Sequence, residues 1–467
     1  MSKEKIIKQS IKDLEEDFNE LTFLAKDCKK KLKYFKCKDL KNELNTLLKQ
    51  IESKKSQTKK INTTENIERI ETQKLNQFFK LRKLLHQSSQ KVTEREWQSP
   101  SFSHNKYEFS GLLSGKISHT LNDYKRDQHE IGKKYEKKFI NEYFPSGINS
   151  KYSALATNSG MSAFTTILSY IIFEEKIEEA LIEKGAYFEA KKIVKKAFIK
   201  TNSFNILKIN SFEIKNNTAL FIDSISNDTH YVSINIEKLL KKLSKSKYKI
   251  VLVIDNTSAS IKKKMHQIKI PKNIALISYE SLNKFHQFGL DQTTGGIIVS
   301  PKNIFNNLFH LRMNLGTNIL DQSAATLPTP SKKMLNKRLN RISRNSNYFV
   351  NYINKYSSKK IIDHAMLPKT DKDAQTRNEN FSPYVLLSFK KKWDNTKKQN
   401  QFVKSMYKKT KKHNLEITGG TSFGLPISRL YLTALRSDIS EPFVRFSPGT
   451  ESLFQIDKVS KLFASNS

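Results

Sequence analysis

The sequence predicts an α/β protein in three parts: a basic helical extension over residues 1–105, a large α/β domain over 106–330 built on a mostly parallel sheet, and a smaller α+β domain over 331–467. Three observations carry this. Apolar residues recur at alternating steps of four and three through the first hundred positions. Four short β-branched runs then alternate with helical stretches. A long amphipathic segment without Gly or Pro, "SKKMLNKRLNRISRNSNYFVNYINKY" (331–356), opens the last part.

In the extension, Leu14, Phe18, Leu21, Ala25, Cys28, Leu32 and Phe35 follow the heptad pattern, and after a skip Leu40, Leu44, Leu47 and Ile51 resume it. The polar run "SKKSQTKKINTTE" breaks the period. Asn62 with Glu65 is then placed to cap a second helix carrying Ile67, Ile70, Leu75, Phe78 and Leu85. This reads as a helical hairpin or coiled coil, whose apolar stripe either meets a partner protein or another copy through residues 1–100, or packs on the body of its own chain. In the middle part, "ALFIDSI" (219–225), "YKIVLVIDN" (248–256), "NIALISY" (273–279) and "GGIIVS" (295–300) have the length and continuous apolar character of strands buried on both faces. Residues 159–173 and 236–245 read as helices between them. In the last part, "YVLLSF" (384–389) reads as a strand, 396–413 as a helix, and "PFVRFSPGTES" lies near the end.

Lys and Arg number 83 against 45 Asp and Glu, a net charge of +38. Gathered in one arm, such an excess would point to phosphate backbones. It is instead spread along the chain in short clusters such as "KKIVKK" (191–196), "IKKKMHQIK" (261–269) and "KKTKKH" (408–413). That distribution argues against nucleic acid and for lysine filling solvated faces. The two cysteines, Cys28 and Cys37, offer neither a disulfide framework nor a metal quartet, so a reducing, cytoplasmic setting without a metal is expected. No apolar run approaches the roughly 20 residues that span a bilayer, and no membrane partner is expected.

Three features of the middle part bear on chemistry. Ser159, Gly160 and Met161 start an apolar helix, where free backbone amides and a close-approaching Gly make an anion site; equally, Ser-Gly there simply caps the helix. Asp255 ends a buried strand, at the edge where open α/β sheets bind ligands, and on its own it could as well cap a turn. Lys284 follows the next strand and precedes Gly289, Gly295 and Gly296 in a chain with only 14 glycines. A desolvated lysine loses its proton and forms a Schiff base with an aldehyde. An anion cradle, an acid for a ring nitrogen and a lysine for an aldehyde together point to pyridoxal 5'-phosphate.

"NSGMSAF", "VIDNTSAS", "SYESLNKFHQFGLDQTTGGIIV" and "FVRFSPGTES" occur in an order that resembles the Cys/Met-metabolism family of pyridoxal-phosphate enzymes, the cystathionine γ-synthases, cystathionine lyases and methionine γ-lyases, over about 120–467. The resemblance implies the fold type I transferase-like architecture for the large domain. It makes Lys284 the Schiff-base lysine and proton shuttle, and Asp255 the partner of the pyridinium nitrogen. The amides of Gly160 and Met161, beside Ser159, would hold the phosphate with Ser281 and Asn283, the latter standing where the family has Thr. Tyr187, in "EKGAYFEAKK" (183–192), takes the place of the ring-stacking catalytic Tyr, although Phe188 and Glu189 replace the family's two glycines; a Tyr on such an amphipathic stretch also commonly just packs. Tyr124 and Arg126, in "NDYKRDQHEIGKKYEKKF" (122–139), match a segment that reaches the phosphate of a neighbouring subunit, which implies a homodimer or homotetramer. Arg445 matches the arginine of the substrate α-carboxylate, and Ser422, in "GTSFG", the serine near it. The plainer reading of Arg445 is an ion pair with Glu441 or Glu451.

By that resemblance the protein is a lyase or transferase acting on an amino acid, by β- or γ-elimination or replacement, in trans-sulfuration-type sulfur amino-acid metabolism or a related specialised pathway. The competing class is a scaffold on a divergent cofactor fold, whose basic coiled-coil extension binds nucleic acid or a partner.

Overall fold

The computed structural model describes residues 1–33, 37–61, 63–93, 130–370, 381–433 and 441–466. Phe35, Asn62, Tyr124 and Arg126 lie outside the described residues. The three helices before residue 94 are α1 (Lys3–Lys31), α2 (Lys38–Thr58) and α3 (Thr64–Thr93). Then come α4 (Glu130–Tyr143), β1 (Tyr152–Thr157), α5 (Gly160–Ser169), β2 (Glu179–Glu183), α6 (Phe188–Ala197), β3 (Lys200–Phe204), β4 (Thr218–Asp223), α7 (Ile236–Leu243), β5 (Ile250–Asp255), β6 (Ile274–Ser281) and β7 (Gly296–Pro301). After α8 (Phe305–Asn314) and α9 (Asp321–Thr326), the long α10 (Lys332–Tyr356) leads to β8 (Ile362–Met366), β9 (Val385–Phe389), α11 (Thr396–Lys412), β10 (Ile417–Thr418), β11 (Ser428–Leu432), β12 (Val444–Ser447) and α12 (Leu453–Ser465).

The continuous apolar runs of β4, β5 and β6 become the parallel centre of a seven-stranded sheet, ordered β1-β7-β6-β5-β4-β2-β3. Side chains alternate between faces, so Val251 and Val253 of β5 join one apolar cluster while Ile250, Leu252 and Ile254 join another. Helices α5, α6 and α8 cover the first face through Phe164, Ile167, Val194 and Leu308; α7 covers the second through Leu239, Leu240 and Leu243. β7 and the edge strand β1 run antiparallel. β1, β2 and β3 were not among the runs picked out by composition, since "YSALAT", "EALIE" and "KTNSF" are short and weakly apolar. A second sheet, ordered β10-β11-β12-β9-β8, is backed by α10, α11 and α12.

Among the described residues the extension has three helices, not two. The first ends at Lys31 and the second starts at Lys38, around the skip in the heptad pattern; "SKKSQT" (53–58) stays helical to Thr58. Ser2 caps α1 by accepting from Lys5 N–H, and Lys29 to Lys31 complement the dipole of its last turn. The heptad stripe faces the body of the chain: Leu14, Phe18, Leu21, Leu44 and Ile51 share one buried cluster with Phe285, Phe288, Leu335, Leu339 and Phe423.

Alongside that cluster runs a buried ionic seam between α1 and α10. Arg344 donates to Asp13 (2.8 Å), Arg341 to Glu16 (2.7 Å) and Asp17, and Arg338 to Glu20. Lys74 of α3 reaches Asp17 (3.1 Å) and Glu71 (2.7 Å). The acids Asp13, Glu16, Asp17 and Glu20 fall at i, i+3, i+4 and i+7 and the arginines at steps of three, so each set lies on one helical face. The same helix caps α12: Leu453 N–H donates to Asp13 Oδ2 and Phe454 N–H to Ser10 Oγ, both at 2.9 Å.

Burial alone would raise the Asp13 carboxyl, but Arg344 and Arg341 hold it below its ordinary value. Its contribution to stability is therefore complete above the unfolded-state carboxylate pKa and is lost as the pH falls through the depressed one. Replacing Arg341 by Met leaves Asp17 and Glu16 without their guanidinium and should destabilise the protein by about 3–5 kcal/mol at neutral pH. Urea unfolding followed by tryptophan fluorescence measures this, and the difference should shrink in acid.

Candidate active site

The parallel register sets the site. At the carboxyl ends of three neighbouring strands, Asp223 of β4 lies opposite Asp255 of β5, which lies opposite Tyr279 of β6. Asp255 Oδ1 accepts from Thr257 N–H at 2.9 Å, so it does cap a turn, and the Tyr279 hydroxyl also donates to this carboxylate. Burial pushes the Asp255 carboxyl up, against these hydrogen bonds. Asp223 is pushed well above the usual carboxylate range by burial and by its neighbour Asp255. A cation beside Asp255 would relieve both effects.

The start of α5 abuts the end of β6. Ser159 is its N-cap and accepts from Ser162 N–H at 3.0 Å, as the plainer reading expects. A Cβ on Gly160 would stand 2.9 Å from Ser281 Cβ, so a bare glycine lets the helix amides approach that strand end. Ser281 N–H donates to Thr257 Oγ1 at 2.9 Å, and Asn283 Oδ1 accepts from Gly295 N–H at 3.0 Å. Ser159, Gly160, Met161, Ser281 and Asn283 thus line one end of a shared cavity.

Lys284 projects into the middle of that cavity. Its Nζ lies 3.4 Å from Ser422 Oγ and 5.6 Å from the centre of the Phe423 ring. Burial, with Arg445 as the nearest adverse charge, brings the ammonium down to about 8, while Asp291 and Asp255 oppose the shift. Ser422 meets Lys284 and is not itself among the residues lining the cavity; its neighbours Thr421 and Phe423 are. At the far wall Arg445 is buried over Tyr384 (4.8 Å) and Phe423 (5.5 Å) and donates to Thr421 O. Its Nε has no partner, and among the described residues no carboxylate pairs with it. Glu451 is turned to Ser428 N–H and Glu441 is exposed. The ion pair expected on the plainer reading does not form.

Tyr187 also lines the cavity, immediately before α6, with its ring 5.1 Å from that of Phe188 and its hydroxyl donating to Glu189. Burial raises this phenol further. Ten of the twelve candidate residues are therefore described, and nine of those line a single cavity of about 400 Å³, with Ser422 just behind it. Asp223, Thr257, Tyr279 and Glu189 were missed. Asp223 had a visible signal, since "LFID" (220–223) and "LVID" (252–255) end alike; the parallel register that pairs them was not visible.

The donor set fits pyridoxal phosphate. The cavity offers helix amides behind a glycine, a buried carboxylate, a lysine brought down to about 8 and a guanidinium whose Nε is without a partner.

Comparison with known proteins agrees. Bifunctional enzyme flvA of Aspergillus flavus is 21% identical over 316 residues, which is 66% of this chain and 38% of that protein, so the chain spans well under half the length of this curated relative. Among solved structures, a cystathionine gamma-lyase from Lactobacillus plantarum superposes with a TM-score of 0.56 at 16% identity, over 75% of this chain and 90% of its own. A cystathionine gamma synthase from Xanthomonas oryzae pv. oryzae gives 0.57 at 14% identity, over 75% and 92%. A methionine gamma lyase from Micromonospora echinospora gives 0.56 at 14%, over 75% and 91%. These likenesses establish a common fold. Residues 83–453 match the family described as Cys/Met metabolism PLP-dependent enzyme, and the chain belongs to that family.

Proposed function

We propose that the protein uses Lys284 and Arg445 to carry out elimination or replacement at Cβ or Cγ of an amino acid, of the kind found in sulfur amino-acid metabolism. The observation that carries this reading is Arg445: a buried guanidinium with an orphaned Nε, facing the same cavity as a lysine brought down to about 8. A planar fork of donors suits an α-carboxylate, and a buried cation without an anion is costly until one arrives.

The amides of Gly160 and Met161, with Ser281 and Asn283, would hold the cofactor phosphate; Asp255 would face the ring nitrogen and Tyr187 the ring. Bound there, pyridoxal phosphate supplies an electron sink for charge developing at Cα. Arg445 fixes the carboxylate, and that sets the direction of the Cα–H bond. Lys284, neutral above about 8, takes the proton at Cα and can return it to the departing end of the substrate. Tyr279 and Thr257 keep the Asp255 carboxylate aimed. The match of Tyr124 and Arg126 supports a homo-oligomer with shared sites.

Borohydride should bleach the coloured holoenzyme and leave the reduced adduct on Lys284 by peptide mapping; a colourless protein that stays so with added cofactor sinks this reading. Lys284→Ala should cost about 10²–10⁴-fold in the proton-transfer step. In the cofactor-free protein, the rate at which Lys284 reacts with pyridoxal phosphate should rise with pH and level off above about 8, because the reactive amine is the deprotonated form. Arg445→Lys keeps the charge but loses the fork, and kcat/KM should fall about ten- to a hundredfold.

A further inference from the structure

The family match begins at residue 83 and leaves residues 1–82, with the ionic seam they make, unexplained. One guanidinium of that seam, Arg338, touches both loops of the site. Its Nε and Nη2 donate to Gly424 O at 3.2 and 2.8 Å, and its Nη1 pairs with Glu20 of α1. A Cβ on Gly289 would stand 2.5 Å from Nη2 and 2.7 Å from Pro426, and φ at Gly289 is +79°. Gly424, at φ +80°, in turn presses on the Lys284 loop: a Cβ there would meet Phe285 at 2.7 Å and Lys284 O at 3.2 Å. The guanidinium is therefore wedged between the segment just after Lys284 and the segment just after Ser422. The N-terminal helices hold the same loop from its other side: the Phe23 ring packs edge-on against Phe288 at 5.7 Å, and Arg82 donates to Leu290 O (2.6 Å) and Asp291 O (3.0 Å).

We propose that Arg338 is a positioning residue, oriented by Glu20 of the N-terminal layer, that sets the Lys284 loop against the Ser422 loop. The extension is on this view a working part of its own chain's active site. The inference rests on Lys284 being the reactive amine of that site. Its physical basis is that a guanidinium makes three directed contacts here and an ammonium cannot reproduce the fork. Loosening the wedge lets water reach the Lys284 amine, whose low pKa is owed first to burial.

The test uses the full chain without cofactor. Arg338→Lys and Glu20→Gln are compared with Lys458→Ala, which removes the outer Lys458–Glu68 pair between α12 and α3 and the contact of Lys458 with the Phe454 ring. Lys284 reactivity is followed by competitive acetylation against pH with peptide mass spectrometry, and amide exchange is read over 284–291 and 423–425. The expected result for Arg338→Lys is a rise of about one unit in the Lys284 midpoint, a tenfold fall in reactive amine at neutral pH. Exchange should quicken in both segments together, Glu20→Gln should give a smaller change of the same kind, and Lys458→Ala none. Folded variants with the wild-type Lys284 midpoint, or with only one segment loosened, overturn the proposal. If Arg338→Lys does not fold, Glu20→Gln decides alone. If wild-type Lys284 never forms a borohydride-fixed adduct, the catalytic reading fails, and the labelling still decides whether Arg338 positions the loops.

Discussion

Three arginines share one face of α10, Arg338 and Arg341 buried and Arg344 half-buried, and each of them meets a carboxylate of α1. Arg341 is held above the usual guanidinium range: burial works against it, and Asp17 and Asp13 outweigh burial. A helix carrying such a row cannot pack against an apolar surface; it needs a partner with acids at the same helical spacing. α1 supplies Asp13, Glu16, Asp17 and Glu20 at that spacing, so its register on α10 is fixed to within a turn. Once that register is set, Asp13 adds to the Ser452 cap of α12, the 447–452 segment is held by Asn345 and Arg341, and Arg445 on the strand before it is placed.

The catalytic half depends on a different constraint, the parallel register of β4, β5 and β6. It sets two buried carboxylates and a phenol side by side at one edge of the sheet; burial pushes Asp223 and Asp255 up, and the Asp255 charge raises Asp223 further. Folding leaves the edge short of positive charge while Arg445, across the cavity, is short of negative charge. A zwitterionic guest with a cationic ring beneath it satisfies both deficits.

Much of this was legible in the chain. The strands β4 to β7 are continuous apolar runs of the right length, and the stretch 83–453 that matches the family contains Gly160, Asp255, Lys284 and Arg445. The break between α1 and α2 was legible only as a skip, because a heptad phase shift does not say that two packed helices flank it. The destination of the heptad stripe was not legible. Periodicity states that Leu14, Phe18 and Leu21 need an apolar surface; it does not state that Phe288 and Leu339 are that surface. The charge seam was hidden for a related reason. "DLEED" and "RISR" are ordinary solvated sequences until two helices far apart in the chain are laid side by side, and in a chain of net charge +38 neither cluster stands out.

The contact between Ser10 and Phe454 closes a loop of 444 positions. Loop-closure entropy grows slowly with length, so this costs little more at equilibrium than a loop a quarter as long. The kinetic consequence is larger. Contacts of such sequence separation form late, after the local sheets and helices they join. Until then α10 carries an uncompensated row of guanidinium groups, the Leu453 and Phe454 amides at the start of α12 lack their α1 partners, and the Phe285–Phe288 surface is uncovered. Assembly of the Lys284 loop and docking of the N-terminal helices are thus one event in folding time, and a chain halted before it exposes both an apolar face and a strip of positive charge.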